Sequence, residues 1–240
     1  VFSTHSTVSV IELLADARLK QKQGFLSQAQ EISLLAYEKA QSDKEKVQAT
    51  LLLSQIAYQS GNNEKALYLL EQLDQMKNTE IKPYILLQKA NIALADNNLN
   101  LATTLYLKII ESSDIQLSVA SHINLATLQN KELAKKLLQT AYKMMEDIPQ
   151  SDKKIELYLS IAQVALEFNP QITLNCLKTL AQINLSKQAR YLSQTYGLKS
   201  KLYFKHGNLL DALSLIHKAI FYAQQEPDLL MRWEWFQGKI

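Results

Sequence analysis

The chain has few of the residues that interrupt or cross-link a fold. Its 240 residues include five Gly, four Pro and one Cys. An α/β or all-β fold of this size needs more Gly and Pro in its turns, so their scarcity argues against strands. Because Cys176 is alone, an intrachain disulfide and a cysteine-cluster metal site are excluded. No apolar run reaches about 18 residues, so we expect no transmembrane helix.

The net charge is also small. It is +3, so the composition as a whole does not indicate a polyanion-binding protein. Hydrophobic residues make up 47% of the chain and charged residues 20%, which argues against extended disorder. The abundant Leu, Ala, Gln, Lys and Glu favour helices. We therefore predict an all-α fold.

The stretch 47–73 shows the pattern that organises the chain. One stripe of helical spacing precedes a Gly61-Asn62-Asn63 turn, and a second stripe follows it, which predicts a hairpin of two short helices. The stripes consist of Thr50, Leu53, Ser54 and Ala57, and then of Ala66, Leu69, Leu70 and Leu73.

Weaker copies of this hairpin recur along the chain. Small residues equivalent to Ala66 lie at Ala29, Ala102, Ala134 and Ala212, and a degenerate equivalent lies at Thr173 or Leu174. With Thr173, the spacings are 37, 36, 32, 39 and 39 residues, which scatter around a 34-residue period. We predict one domain over 1–240, with helix pairs at about 8–41, 44–76, 82–112, 115–146, 152–183 and 187–225 and a remnant helix at 228–240.

Three details of this register are further expectations. The apolar stripe of the first helix is predicted to comprise Ile11, Leu14, Ala17 and Leu19. The lead-in 1–7 has no periodicity and is expected to be frayed. In the remnant helix, the apolar cluster of Trp233, Trp235 and Phe236 is expected to be partly uncovered.

The turns give the chain a family resemblance. Gly24-x-x-x-x-Ala29, Gly61-x-x-x-x-Ala66 and Gly207-x-x-x-x-Ala212 resemble the turn and second helix of tetratricopeptide repeats, although the Trp and Pro of that consensus are mostly absent. The resemblance implies a right-handed α-solenoid of about six hairpins plus the remnant helix. It also implies a concave face, lined by the first helix of each unit, that binds peptides or proteins.

The family register places a set of polar and aromatic side chains on that concave face. Amides and tyrosines suit peptide recognition, but Gln is also an ordinary exposed helix residue. The clamp that chaperone-binding members use for a C-terminal carboxylate is not reproduced, since Leu14 and Leu51 stand where its first Lys is expected. The candidate partner-binding residues are Arg18, Gln21, Gln48, Gln55, Tyr58, Gln59, Tyr84, Asn91, Gln163, Lys201, Phe204 and Lys205.

A narrower resemblance lies at the C-terminal end. The segment 219–240, with its Arg232-Trp233-x-Trp235-x-x-Gly238 run, resembles part of bacterial CHAT-domain proteins, in which a tetratricopeptide array precedes a caspase-like domain. No catalytic residue transfers, because that domain is not in this chain. The chain starts at Val1 without an initiator Met and ends inside a helical pattern, so we interpret it as a piece of a longer bacterial protein. Both a cytoplasmic and an exported location, the latter after removal of a signal peptide upstream, stay open.

One charge feature stands apart from the repeats. No Asp or Glu occurs between Phe168 and Leu210, while the stretch carries Lys178, Lys187, Arg190, Lys199, Lys201 and Lys205. It indicates either a patch for an acidic partner or nucleic acid, or a basic face balanced by acids brought near in space.

Catalytic and metal-binding motifs are not apparent. The histidines His5, His122, His206 and His217 lack metal-ligand spacing, and Cys176 has no sequence signal for activation. We therefore predict a non-enzymatic scaffold or regulatory domain with a protein or peptide partner, no cofactor and no membrane association. The alternatives are the sensing arm of a CHAT-type protease and, less favoured, nucleic-acid binding through 168–210.

Overall fold

The computed structural model describes residues 8–76, 80–185 and 188–240, and this part of the chain is built from α-helices. The predicted frayed segment 1–7 lies outside these residues. A short 3₁₀ turn, Met145–Asp147, follows the eighth helix. The helices are α1 Val10–Lys22, α2 Leu26–Lys39, α3 Asp43–Gln59, α4 Asn63–Gln75, α5 Lys82–Ala95, α6 Leu99–Ile110, α7 Ile115–Ala126, α8 Lys131–Met144, α9 Asp152–Phe168, α10 Pro170–Gln182, α11 Ala189–Lys205, α12 Leu209–Tyr222 and α13 Pro227–Gln237.

The helices belong to two compact units, and the boundary between them falls inside α6, after Ala102. In unit 1, α1 packs on α2, α3 packs on α4, and α2 and α4 each also contact the helix that follows. In unit 2, the pairs α7–α8, α9–α10 and α11–α12 pack in the same way, and α13 packs on α11 and α12. The helices named here therefore pack on their neighbours along the chain, as in a helical repeat.

Four of the turns between paired helices share one backbone geometry. Gly24, Gly61 and Gly207 have φ of 84°, 77° and 76°, and Asn97 has φ of 59°. In each turn the next residue donates its N–H to the carbonyl five residues back, as Asn62 does to Ala57 at 2.8 Å, which is the helix-ending Schellman bond. Glycine fits here because a left-handed backbone costs most residues about 1–2 kcal/mol, and Asn tolerates it better than most.

Asparagines cap the second helices α4, α6, α8 and α12. The side-chain oxygens of Asn62, Asn98, Asn130 and Asn208 accept backbone N–H groups three residues on, at 3.0 to 3.4 Å. These caps satisfy donors that the first helical turn would leave unpaired. Each capping Asn lies four residues before the small residue that marks its repeat, as Asn62 lies before Ala66. The cap and the small residue therefore recur with the same spacing.

The small residues that mark the repeats are fully buried. Ala29, Ala66, Ala102, Ala134, Thr173 and Ala212 are all 0% exposed. Thr173, rather than Leu174, therefore holds the position in the fifth pair, and its hydroxyl donates to the Ala162 carbonyl of α9 at 3.0 Å. In the sixth pair Ser200 of α11 donates to the Ala212 carbonyl at 2.6 Å. These bonds tie the two helices of a pair together where they approach most closely.

The apolar core of each unit runs from one helix pair to the next. In unit 1, Ile56 packs with α1 and α2, while Ala57 packs with α4 and α5, so α3 is shared by two clusters. The predicted stripe of α1 is partly wrong. Leu14 and Ala17 are buried, but Ile11 is 72% exposed and Leu19 53% exposed, because Val10 and Leu13 occupy the inward positions instead.

Among the described residues, no helix combines the length and the apolar character that crossing a membrane requires.

Candidate binding surface

The first helices of successive pairs lie side by side in each unit. In unit 1, α3 contacts both α1 and α5, and in unit 2 the contacts α7–α9, α9–α11 and α11–α13 repeat this arrangement. We call the unburied sides of these helices the first-helix surface. It has one part in unit 1, on α1, α3 and α5, and one part in unit 2, on α7, α9, α11 and α13.

The unit 1 part of the first-helix surface carries most of the predicted partner-binding residues. Gln55 and Gln59 lie one turn apart on α3 and are exposed, with Tyr58 half-buried beside them. Hydrogen-bonding groups and an aromatic ring are thus available on one helix. On the neighbouring helices Arg18 and Tyr84 are exposed, whereas Gln21, Gln48 and Asn91 are half-buried.

A polar contact joins neighbouring first helices beneath this surface, where Ser54 is fully buried. The Ser54 hydroxyl on α3 donates to the side-chain oxygen of Gln88 on α5 at 2.5 Å. Gln88 was not among the predicted residues. Its spacing could have pointed to it, since Gln88 lies 34 residues, one repeat period, after Ser54. A glutamine in the sequence does not by itself show, however, that its side chain bonds to a serine of the preceding helix pair.

In unit 2 the predicted residues of α11 are held by contacts with neighbouring helices. Lys205 Nζ donates to the Leu166 carbonyl at 3.1 Å and pairs with Glu167 at 2.7 Å, both at the end of α9. Phe204 meets Phe236 of α13 edge-on, with ring centroids 5.6 Å apart. Gln163 on α9 is exposed. The structure thus gives Phe204 and Lys205 packing roles within the unit.

Lys201 has a different environment. Its Nζ lies 5.3 Å from the Trp233 ring centroid and 5.6 Å from that of Phe236. Burial lowers the pKa of Lys201, repulsion from Arg232 lowers it further, and Glu167 partly opposes both effects. The Arg232 guanidinium lies 5.8 Å from the same Trp233 ring.

The basic stretch 168–210 is partly balanced by acids from outside it. Arg190 pairs with Glu226 and binds Asp228 through both guanidinium nitrogens at 3.1 and 3.2 Å. Burial by itself would lower the pKa of Arg190, but these carboxylates raise it above its ordinary value. Together with the Lys205–Glu167 pair, these contacts support the interpretation of a balanced basic face. Lys187 lies outside the described residues.

The C-terminal helix α13 is seated on α11 and α12 by Trp233. The indole is 1% exposed, and its N–H donates to the Ser193 hydroxyl at 2.9 Å, which in turn donates to the Ala219 carbonyl at 2.9 Å. Gly197 makes room for the ring, since a Cβ there would stand 2.6 Å from the indole Cε2. The apolar cluster is thus partly uncovered, as expected. Trp235 is 64% exposed, whereas Trp233 and Phe236 face α11 and α12.

The cysteine and the described histidines, which are the remaining titratable residues considered for catalysis or metal binding, lie on or next to different helices. Burial raises the pKa of Cys176 to about 12, so the thiol stays protonated at neutral pH. His122 is buried with its Nδ1 2.9 Å from the Ser118 carbonyl, and the exposed His217 contacts Gln237. His206 caps the end of α11, and His5 lies outside the described residues. Within the described residues, no three His, Cys, Asp or Glu side chains are grouped so that they could hold a metal ion.

Comparison with known proteins bears on the fold. By sequence, no protein-family model matches the chain, and no curated protein is significantly similar. By structure, it is similar to a thermophilic TPR protein of Thermus thermophilus, with a TM-score of 0.56, 21% identity, and coverage of 78% of this chain and 97% of that one. It is also similar to a tetratricopeptide repeat protein of Parabacteroides merdae, with a TM-score of 0.57, 14% identity, and coverage of 96% and 86%.

The fold is that of a tetratricopeptide-repeat (TPR) domain. The predicted all-α solenoid class is thereby confirmed. At these identities the likeness concerns the fold alone, so it assigns neither a partner nor a site.

Proposed function

We propose that this TPR domain is a non-enzymatic scaffold that binds a peptide or protein segment on its first-helix surface, without a cofactor. The observation that carries the proposal is the side-by-side packing of the first helices in each unit. A bound segment can cross several helices of such a layer and contact each of them. Exposed side chains of this surface such as Gln55 and Gln59 are not part of the core and can contact a partner.

The side chains on this surface suit a peptide ligand. Gln55 and Gln59 each offer a donor and an acceptor, and both are exposed on α3. Tyr58 and Tyr84 add aromatic area with few rotatable bonds, a property that favours binding hot spots. The buried Cys176, whose raised pKa keeps the thiol protonated, argues against thiol catalysis by this domain.

Site-specific cross-linking tests the proposal. A photo-reactive amino acid is placed at Gln55 on α3 and, as a matched control, at Gln72, an exposed glutamine on the second helix α4. In extracts of the source cells we expect a discrete protein adduct from position 55 and none of that mass from position 72. Mass spectrometry of the adduct then defines the captured segment, which can be synthesised.

Affinity measurements with the captured segment complete the test. Gln55→Arg should weaken its binding at least about tenfold, equivalent to roughly 1.4 kcal/mol, while Gln72→Arg should leave it unchanged. Both variants change charge equally, so a general electrostatic effect would appear in both. Equal adducts from positions 55 and 72, or equal affinities of the two variants, would remove the first-helix surface as the site.

The alternative derived from the Arg232-Trp233-x-Trp235 run, the sensing arm of a CHAT-type protease, stays a prediction. It requires a domain with a His/Cys dyad in the same protein and proteolysis that depends on the captured segment. Proteolysis that proceeds equally with and without that segment would reject this alternative.

A further inference from the structure

The cations of the 168–210 stretch do not share one environment. Arg190 is neutralised by Glu226 and Asp228, and Lys205 is neutralised by Glu167. Lys201, which lies between them on α11, forms no ion pair among the residues that the structure describes. Glu167, the carboxylate that acts on Lys201, forms its ion pair with Lys205 instead.

Lys201 is also partly withdrawn from water. The residue is half-buried, and its ammonium packs against the rings of Trp233 and Phe236. The rings attract the ammonium, but they cover only the side of it that faces them. The three N–H donors of Lys201 also need hydrogen-bond acceptors, and oxygen atoms are better acceptors than aromatic rings. A charge in this position is costly until an anion meets it.

A second cation approaches the same ring. Arg232, on the adjacent helix α13, lies 5.8 Å from the Trp233 ring centroid that Lys201 also approaches, and its side chain is exposed. Within the described residues it, too, has no carboxylate partner. The two cations repel one another, and burial and this repulsion together lower the pKa of Lys201. Both cations are therefore placed relative to one buried indole.

We propose that Lys201 and Arg232 form a carboxylate-binding site on the unit 2 part of the first-helix surface, and that the segment bound by this scaffold presents an acidic side chain there. The proposal rests on the proposed function. Between them, an ammonium and a guanidinium can donate several charge-assisted hydrogen bonds to the two oxygens of one carboxylate. A bound carboxylate would offset both the repulsion between the two cations and the free-energy cost of burying the Lys201 charge.

A carboxylate fits this place better than a nucleic acid does. Nucleic-acid binding draws its affinity from several phosphate contacts along a basic track. Here the track is interrupted, because Arg190 and Lys205 on either side already hold carboxylates. Lys178 and Lys199 are exposed cations of the same stretch. In the part of the chain that the structure describes, however, neither approaches an aromatic ring together with a second cation, as Lys201 does with Arg232. This local pair suits one acidic side chain.

Fluorescein-labelled hexaglutamate is the probe for this site, with hexaglutamine as the neutral control, measured by anisotropy at low salt. We expect hexaglutamate to bind and hexaglutamine not to bind. In the double variant Lys201→Gln/Arg232→Gln the affinity should fall at least about tenfold, the size of one lost charge-assisted hydrogen bond. The control Lys178→Gln/Lys199→Gln removes two exposed cations from α10 and α11, so the net charge changes equally, and it should bind within about twofold of wild type.

Two further arms define the ligand. Hexaglutamate with an amidated C-terminus should bind as well as the free acid, because side-chain carboxylates suffice; binding by the free acid alone would overturn the assignment to an acidic side chain. A dT20 oligonucleotide that binds more tightly than hexaglutamate, with the same loss in the double variant, would overturn it in favour of nucleic acid.

The controls separate misfolding and failure of the parent proposal from failure of this one. Arg232→Gln alone changes an exposed side chain, and a thermal melt confirms its fold, so a loss of binding in this variant supports the site. If both double variants bind hexaglutamate as tightly as wild type while the captured segment still requires Gln55, the carboxylate site is wrong and the proposed scaffold function is retained. If Gln55→Arg leaves the affinity of the captured segment unchanged while hexaglutamate binding requires Lys201, the proposed binding surface around Gln55 is wrong and the carboxylate site is retained.

Discussion

The seating of α13 predicts strong coupling between Gly197 and Trp233. A Cβ at position 197 would overlap the six-membered part of the indole, and overpacking of this kind costs about 1–3 kcal/mol. Replacing a helical Gly by Ala gains about 1 kcal/mol of helix propensity, which offsets part of that cost. Gly197→Ala should therefore be neutral to destabilising by about 2 kcal/mol in wild type.

The same substitution should behave differently once the indole is gone. The smaller ring in Trp233→Phe removes the overlap, so in this background Gly197→Ala should stabilise by about 1 kcal/mol through helix propensity alone. The coupling energy of the pair is then about 1–3 kcal/mol. The exposed Trp235 provides the matched control, since Trp235→Phe should not couple to Gly197→Ala.

Urea unfolding followed by circular dichroism gives the free energies of the four proteins in each cycle. Repeat arrays can unfold in more than one step, so hydrogen exchange of the α13 amides should be measured together with urea unfolding. The exchange rates report the local detachment of α13 from α11 and α12. Effects of Gly197→Ala and Trp233→Phe that add within about 0.5 kcal/mol would refute the seating of the indole against Gly197.

Three other predictions follow from the turns, the small buried residues and the thiol. Gly61→Ala should cost about 1–2 kcal/mol in urea melts because of its left-handed backbone, and Gly61→Asn should cost less, since Asn97 holds the equivalent turn position; an unchanged melt for Gly61→Ala would contradict the turn geometry. Ala66→Phe should lose about 1–3 kcal/mol by overpacking, whereas Lys65→Phe next to it should stay within about 0.5 kcal/mol, and similar losses in both would contradict the register. Cys176 should not react with Ellman's reagent at pH 8 until urea unfolds the protein, and rapid reaction of the folded protein would disprove its burial.

The turns and the buried small residues were predictable because their cause is local. A left-handed residue such as Gly61 ends one helix, a capping Asn62 begins the next, and Ala66 follows at a spacing that the helix period determines. Thr173 was harder to place, because a threonine fits the position only through its hydrogen bond to Ala162 on the other helix.

The candidate binding surface was less predictable because its details depend on pairs distant in sequence. Lys201 and Lys205 occupy the same helix and have the same charge, yet one packs on Trp233 and the other pairs with Glu167. Which face of α13 turns inward depends on Gly197, a partner in another helix. A single sequence gives the residue types at these positions, but their partners are determined by tertiary packing.

We propose that partner contacts concentrate on the first-helix surface. A deep mutational scan tests it most directly: displayed variants are sorted in parallel for binding of the captured segment and for a marker of folding. Substitutions that abolish binding without affecting folding should cluster on first helices, at positions such as Gln55 and Gln59 on α3. Clustering on second helices instead, around Tyr68 and Gln72 on α4, would contradict the account.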